Sequence, residues 1–310
     1  MITTFNPMRP SSLLRRHRPA VPLRAAIIGV LSASLVLLAG CSTVKLGYGQ
    51  GGFLAYRWLD GYVDFDAAQA PRVHAALDEL LAWHRRSQLG DYAATLAKVG
   101  VELPADVTPE RVCAVFGDVR SRVDVALERA LPAIAEIAPT LSARQIAHIE
   151  KRFAEKNADY REDFLQRDLG KRRKAAVKRE LERVESVYGS IDVAQRELIA
   201  HGVASSLFDA DVAYAERLLR QQETLALLRR LAAERPVRDE AVVQIRHHLE
   251  RLEKSPREAY RRYSERLHEA NCAHASAVHN AMQPTQRRHA IAKLKGYESD
   301  LRELAAEASG

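Results

Sequence analysis

The start and the interior of a helix can both be read in the segment Leu141-Ser-Ala-Arg-Gln-Ile-Ala-His-Ile-Glu-Lys-Arg-Phe153. Ser142, followed three residues later by Gln145, forms a capping box, in which each side chain satisfies a backbone N–H group at the helix start. Apolar side chains then recur at intervals of three and four residues up to Phe153, which is the spacing of one buried helix face. The segment predicts a long amphipathic helix that packs against other helices.

Similar helix signals recur along the chain. The helix from Ser142 is predicted to run to Tyr188 with a break at Gly170, and Pro132 is predicted to kink the helix before it. Only Val99–Leu103 has the composition of a possible strand. Other helix starts are predicted at Pro71, Thr108-Pro109, Asp192, Asp209, Ser255-Pro-Arg-Glu258 and Pro284. We therefore expect an all-α fold, a multi-helix antiparallel bundle of long helices.

The charge of the chain is concentrated in its first 40 residues. The 310 residues carry a formal net charge of +7, and residues 1–40 contribute five arginines and no acidic residue. The other 270 residues hold 42 Lys and Arg against 40 Asp and Glu. The excess basicity therefore belongs to the N-terminal segment, and the composition gives no support for a nucleic-acid partner.

The N-terminal 40 residues read as an export signal. Arginines precede a short apolar stretch, Ala25–Leu37, which ends in Leu38-Ala-Gly-Cys41. This ending resembles the lipobox of bacterial lipoproteins, in which the leader is removed and the cysteine is acylated. The alternative is an ordinary signal peptide followed by a chance cysteine. Under the lipobox interpretation Cys41 anchors the protein, and Ser42 predicts the periplasmic face of the outer membrane.

The mature chain is predicted to have a tether and a helical body. Residues 41–52 contain four glycines and predict a flexible link to the lipid. Residues 53–310 form the body, which can divide into subdomains 53–138 and 139–310. Both tryptophans fall in the aromatic-rich segment 48–92, which is either a local core or an aromatic face near the membrane or a ligand groove.

Two cysteines remain beside Cys41, in a compartment that oxidises thiols. Cys113 and Cys272 are therefore predicted to form a disulfide, with two buried free thiols as the alternative. His268 lies one helical turn before Cys272, but this pair could bind a metal only with ligands from elsewhere. His279 lies too far along the same helix to join them. No metal site and no cofactor is predicted.

The strongest basic run is Lys171, Arg172, Arg173 and Lys174. It is either a solvated helix face or a contact for anionic lipid headgroups or acidic cell-wall polymer. No nucleophile elbow, zinc-protease motif, phosphate-binding loop or dinucleotide fingerprint occurs in the sequence. No catalytic residue is therefore assigned.

The capping pattern of an apolar residue, a cap, two residues and a glutamine occurs three times. It is convergent helix capping or the trace of a repeated helical hairpin, and it is similar to the LTxxQ motif of the small, all-helical periplasmic stress chaperones. The examples are Leu141–Gln145, Ile191–Gln195, Met282–Gln286 and, more weakly, Val107–Arg111.

A broader resemblance covers nearly the whole mature chain. The sequence resembles a family of proteobacterial lipoproteins with a domain of unknown function. This resemblance implies an exported all-α lipoprotein and supplies no catalytic residue. It is carried by Cys41-Ser42, Trp58–Asp66, Trp83–Gln88 and the stretch from Asn271-Cys272 through Gln286–Arg288.

Two functional hypotheses follow. The first is a lipid-anchored, chaperone-like binding or scaffold protein that binds unfolded or envelope polypeptides. The second is an envelope enzyme acting on cell-wall polymer. The absence of a catalytic motif favours the first. A broad apolar or amphipathic groove would support it further, and a cleft with converging carboxylates or histidines would support the second.

Overall fold

The structure, a computed structural model, describes residues 43–308 and contains twelve α-helices, one 3-10 turn and no β-strand within them. The predicted all-α helical bundle is confirmed. No helix in this part of the chain has the length and apolar character needed to cross a membrane. The helices are α1 Thr43–Gly49, α2 Gly51–Val63, α3 Ala70–Ser87, α4 Leu89–Glu102, α5 Pro109–Ile137, α6 Ala143–Phe164, α7 Leu169–Tyr188, α8 Val193–Ala204, α9 Ala210–Glu234, α10 Arg238–Glu253, α11 Glu258–Asn280 and α12 Pro284–Glu307.

Side-chain caps fix the starts of five helices, α5 to α9. The Thr108 hydroxyl accepts a hydrogen bond from the backbone N–H of Arg111 at 3.2 Å, so α5 begins with Pro109 as predicted. The Asp192 carboxylate caps α8 in the same way. Ser142 and Gln145 form the predicted reciprocal capping box at α6. These starts were predictable because a cap acts within three residues of its helix.

Three local predictions are wrong. The helix from Ser142 ends at Phe164, and α7 begins after Asp168, whose carboxylate accepts from the N–H of Lys171 at 3.1 Å. A new cap, not Gly170, therefore sets the break. The sequence predicts that Ser255 caps α11 with Pro256 as its first residue, but α11 begins at Glu258, because the Ser255 hydroxyl bonds to the N–H of Arg257 before the helix. The possible strand Val99–Leu103 falls on α4 and the residue after it.

The described part of the predicted tether is helical. It forms α1 and the start of α2, and Lys45 pairs with Glu303 on α12. A Cβ atom on Gly52 would lie 3.2 Å from Asp78 Oδ1 and 3.6 Å from the Leu81 side chain. The glycines at this point thus allow α2 to approach α3 closely. Cys41 and Ser42 lie outside the described residues.

Three apolar clusters hold the bundle together. The first joins α5, α9 and α10 through fully buried side chains such as Leu131 and Leu231. The second joins α7, α8 and α11, and includes Ile199 and Val278. The third lies between α6 and α9. Helices on either side of residue 138 pack directly against each other, namely α4 with α12, and α5 with α10 and α11. The division into two subdomains stays a prediction.

The glutamines of the recurring motif meet in pairs. Gln195 at the start of α8 bonds to Gln286 at the start of α12, and Gln145 at the start of α6 bonds to Gln69 at the start of α3. Gln69 ends the segment Phe65-Asp-Ala-Ala-Gln69, which fits the same pattern and was missed in the sequence. The weaker example behaves differently, because Arg111 pairs with Glu102 at 2.7 Å.

Candidate binding groove

A groove with a volume of about 780 Å³ runs along α5, with α10 and α11 on its other side. Four apolar side chains of α5 lie along it at spacings of three and four residues, so they share one helix face. Their exposed fractions are 47% for Phe116, 53% for Val119, 49% for Val123 and 38% for Leu127. Leu249 and Leu252 of α10 complete the apolar lining. A continuous apolar stripe is therefore open to solvent.

Charged side chains border this stripe. Arg120 on α5 pairs with Glu253 on α10 at 3.2 Å, and Arg246 on α10 pairs with Glu128 on α5 at 2.9 Å. The hydrogen bond from Arg246 lowers the pKa of the Glu128 carboxyl. Together with Asp124 and Glu250, the lining contains four carboxylates against two guanidinium groups. The border of the groove is therefore net acidic.

The predicted disulfide lies beside one end of the groove. Cys113 on α5 and Cys272 on α11 are bonded, with 5.4 Å between their Cα atoms. His268 lines the groove, and its Nε2 atom lies 3.8 Å from Cys272 Sγ. The His268 ring also contacts the Phe116 ring, with 6.2 Å between centroids. The prediction of this bridge is confirmed, and the bridge ties α5 to α11.

His279 forms its hydrogen bonds away from Cys272 and His268. Its Nδ1 atom bonds to the Tyr188 hydroxyl at 2.9 Å and its Nε2 atom to the backbone carbonyl of Ala105 at 3.0 Å. Burial lowers the pKa of this imidazole. Its side chain is 3% exposed, so it serves as a hydrogen-bonded core residue.

A second cavity, of about 310 Å³, contains a buried ionic network. Glu216 is 3% exposed and accepts hydrogen bonds from Arg257 Nε at 2.6 Å and Arg220 Nε at 2.8 Å. Burial alone would raise the pKa of Glu216, but bonds from Arg257, Arg220 and Ser255 outweigh it and lower the pKa to about 2. Glu216 is therefore an ionised structural residue and no proton donor at neutral pH. Arg257 also binds Glu223 at 2.7 Å and so links α9 to the start of α11.

The predicted basic contact lies at the start of α7, outside the groove lining. Arg172 pairs with Asp211 at 3.2 Å. Lys171, Arg173 and Lys174 are exposed. One of the four cations, Arg172, is therefore paired with a carboxylate of the same chain. The contact with headgroups or cell-wall polymer stays a prediction.

The aromatic-rich segment has two parts. Tyr48 bonds through its hydroxyl to His84 Nδ1 at 2.7 Å, and Tyr56 stacks on His74 at 3.8 Å between centroids, as in a local core. On α2, however, Trp58 is 64% exposed. Phe53 and Leu54 beside it are 56% and 53% exposed. One apolar face of α2 is therefore left open at the N-terminal end of the described chain.

The fold and these sites define an all-α, disulfide-bonded domain with an amphipathic surface groove. The chain belongs to DUF6279, a family of unknown function, which matches residues 61–239. No curated protein and no solved structure matches the chain.

Sequence reasoning missed the groove and the buried Glu216. The signal for the groove was present, because Phe116, Val119, Val123 and Leu127 follow the helical period. That period does not show whether an apolar stripe is covered by another helix. The pairing of Glu216 with Arg220 has a local i,i+4 spacing, but the burial of Glu216 had no local signal, because its other partner, Arg257, is 41 residues away in the chain.

Proposed function

We propose that this protein is a lipid-anchored, chaperone-like binding protein that holds an amphipathic polypeptide segment in the groove between α5, α10 and α11. The open apolar stripe from Phe116 to Leu127 carries the proposal. Soluble monomeric proteins rarely expose a large contiguous apolar patch, and exposed apolar stripes of this kind are typical of interaction surfaces. The anchor through Cys41, the leader 1–40 and the outer-membrane location are part of the proposal.

The dimensions of the stripe suit a helix of about three turns. From Phe116 to Leu127 the rise is about 16 Å at 1.5 Å per residue. Amphipathic helices bind such grooves through apolar residues spaced three and four apart. The net acidic border favours a segment whose apolar face is flanked by lysine or arginine. We therefore expect a basic amphipathic segment of an envelope polypeptide as the occupant.

The open face of α2 supports a location at the membrane. Trp58, Phe53 and Leu54 follow Cys41 by only 12 to 17 residues, and tryptophan and phenylalanine are favoured at the headgroup boundary. The exposed cations of α7, Arg173 and Lys174 among them, are proposed to contact anionic headgroups or cell-wall polymer. The lipobox and the resemblance to proteobacterial lipoproteins support the anchor itself.

The proposal is tested with two labelled model peptides of equal length. One places leucine on one helix face and lysine on the other, and its partner carries glutamate instead of lysine. Fluorescence anisotropy should show tighter binding of the lysine peptide. Val123→Asp places a charge in the stripe and should weaken that binding at least about tenfold.

Val243→Asp is the matched control, because Val243 is 62% exposed on α10 and lies outside the groove lining. It should bind the lysine peptide as the native protein does. Equal binding of both peptides would refute the basic occupant. Unchanged binding by Val123→Asp would refute the groove as the binding site.

A further inference from the structure

The structure brings a third potential metal ligand to the pair His268 and Cys272. These two residues lie one turn apart on α11, and Cys113 reaches them from α5. One ligand atom from each of the three residues lies within 4.8 Å of the other two. Two sulfurs and one imidazole nitrogen form a common ligand set of protein zinc sites. The spacing of residues along α11 could not predict this third ligand, because Cys113 is 159 residues from Cys272 in the chain.

We propose that the reduced form of Cys113 and Cys272, together with His268, binds Zn²⁺ in a three-ligand site with one open position. Zinc prefers tetrahedral geometry with Zn–S near 2.3 Å and Zn–N near 2.0–2.1 Å, which places neighbouring ligand atoms about 3.6 Å apart. His268 Nε2 already lies 3.8 Å from Cys272 Sγ. The site adjoins the groove, because His268 is part of the groove lining, and metal binding is measured without any peptide.

The disulfide is the oxidised, metal-free state of this site. A dithiol reductant supplies two electrons and two protons, and its own sulfurs become a disulfide. The Cys113–Cys272 bond breaks, and each sulfur gains one proton. Zn²⁺ then forms bonds to both sulfurs and to His268 Nε2, and the two thiol protons leave to water, because thiolates are the ligands.

The surroundings give the ion a path and a rigid frame. Cys272 is completely buried, Cys113 is half-buried and His268 is exposed, so the ion enters from the side of the imidazole. The Phe116 ring lies against His268 and provides an apolar neighbour. Helices α5 and α11 pack along each other, so we expect their contacts to keep the two cysteines close after the disulfide is reduced. A small separation of the sulfurs is then enough to accept the ion.

The experiment uses the full mature protein in detergent, reduced with a phosphine and freed of reductant without air. Co²⁺ is the probe, because thiolate ligands give it an intense near-ultraviolet charge-transfer band and tetrahedral geometry gives visible bands. We expect one equivalent to bind, Zn²⁺ to displace it, and the disulfide form to show neither band.

His268→Ala is the decisive variant, because it can still form the disulfide. It should weaken Co²⁺ and Zn²⁺ binding by at least about tenfold. His247→Ala, which removes an exposed histidine of α10, is the control and should bind like the native protein. Thiol alkylation verifies that each oxidised variant is bridged, and circular dichroism verifies that it is folded.

Three results would overturn the proposal. The first is a Co²⁺ spectrum without the thiolate band, the second is equal affinity in His268→Ala, and the third is equal binding by the oxidised protein. If zinc binds the reduced native protein, its melting temperature should rise with zinc concentration, and that rise should be absent in His268→Ala.

Discussion

The side-chain amides of Gln195 and Gln286 bond to each other in both directions, with Nε2-to-Oε1 distances of 2.8 and 2.9 Å. Each amide nitrogen also donates to a backbone carbonyl that precedes the other helix. Gln195 donates to the carbonyl of Ala281, before α12, and Gln286 donates to the carbonyl of Ser190, before α8. Each amide oxygen accepts the N–H of its own cap residue. The motif therefore caps two helices and joins their starts in one network.

The pair Gln69 and Gln145 repeats this arrangement, with a longer reverse bond of 3.5 Å from Gln69 Nε2 to Gln145 Oε1. Gln145 Nε2 lies 2.6 Å from Gln69 Oε1, and it also donates to the carbonyl of Asp64. In return, Gln69 donates to the carbonyl of Thr140. Helix capping alone would not require each glutamine to bond to a glutamine at the start of another helix. The recurrence of this pairing favours a repeated helical unit over independent capping.

Removing either amide of the first pair should destabilise the protein. Gln195→Ala and Gln286→Ala each leave buried partners without a hydrogen bond, which costs about 1–3 kcal/mol. The double variant should lose less than the two single losses added together, because the pair is coupled. Urea unfolding measures these differences. Gln222→Ala, at an exposed position of α9, should change stability little, and additive losses would contradict the pairing.

Reducing the disulfide should lower stability strongly. The bond between Cys113 and Cys272 closes a loop of about 160 residues, for which the chain-entropy model gives about 5 kcal/mol as an upper value. Metal-free protein should therefore melt at a lower temperature after reduction. Alkylation and mass analysis should find neither Cys113 nor Cys272 alkylated before reduction, and both alkylated afterwards. Two free thiols in protein prepared from the periplasm would contradict the bridge.

The ion pairs of Glu216 predict a dependence of stability on pH. The pKa of about 2 in the folded protein lies below the ordinary value of 4.5, so the carboxylate favours folding above pH 4.5. A shift of this size corresponds to about 3 kcal/mol, and this contribution is lost as the pH falls from 4.5 towards 2.

The measurement compares native protein with Glu216→Gln by urea unfolding at several pH values. The variant should be less stable at pH 7, and the difference should shrink below pH 4.5. Glu265→Gln, which changes an exposed residue of α11, should alter stability little at pH 7. A difference for Glu216→Gln that stays constant down to pH 2 would show that the ionised carboxylate does not stabilise the fold.

Anchoring should depend on Cys41. Cys41→Ala removes the thiol that would receive the lipid, so the variant should incorporate no labelled fatty acid and should accumulate as an unprocessed precursor. Electrophoresis after metabolic labelling measures both effects. Cys113→Ala keeps Cys41 and should still be labelled. Labelled Cys41→Ala would contradict the lipobox interpretation.

The open face of α2 should contact the bilayer in the lipidated protein. In a Trp83→Phe variant, Trp58 is the remaining tryptophan, and its emission should shift to the blue on reconstitution into vesicles. Lipids brominated in their acyl chains should quench it. The reverse variant, Trp58→Phe, reports on the half-buried Trp83 and should show neither effect. Unquenched Trp58 in a protein that is demonstrably lipidated would refute the contact and leave the anchor unaffected.

The sequence by itself determined the local elements of this protein. The cap at Thr108 and the box of Ser142 and Gln145 could be read directly, because each acts within one helical turn. The bridge between Cys113 and Cys272 could be predicted as well, since no other cysteine is available under the lipobox interpretation of Cys41. The caps depend on residue type and short spacing, and the bridge depends on the number of cysteines. All of these are properties of the sequence before the chain folds.

Only the tertiary structure decided which faces meet and which stay open. The helical period marks Val119 and Val123 as apolar, but it does not show that α10 and α11 leave them uncovered. The reciprocal bonds of Gln195 and Gln286 join residues 91 positions apart. The same holds for the approach of Cys113 to His268. Such contacts arise from the packing of whole helices, and packing depends on the sum of many long-range contacts that no local spacing encodes.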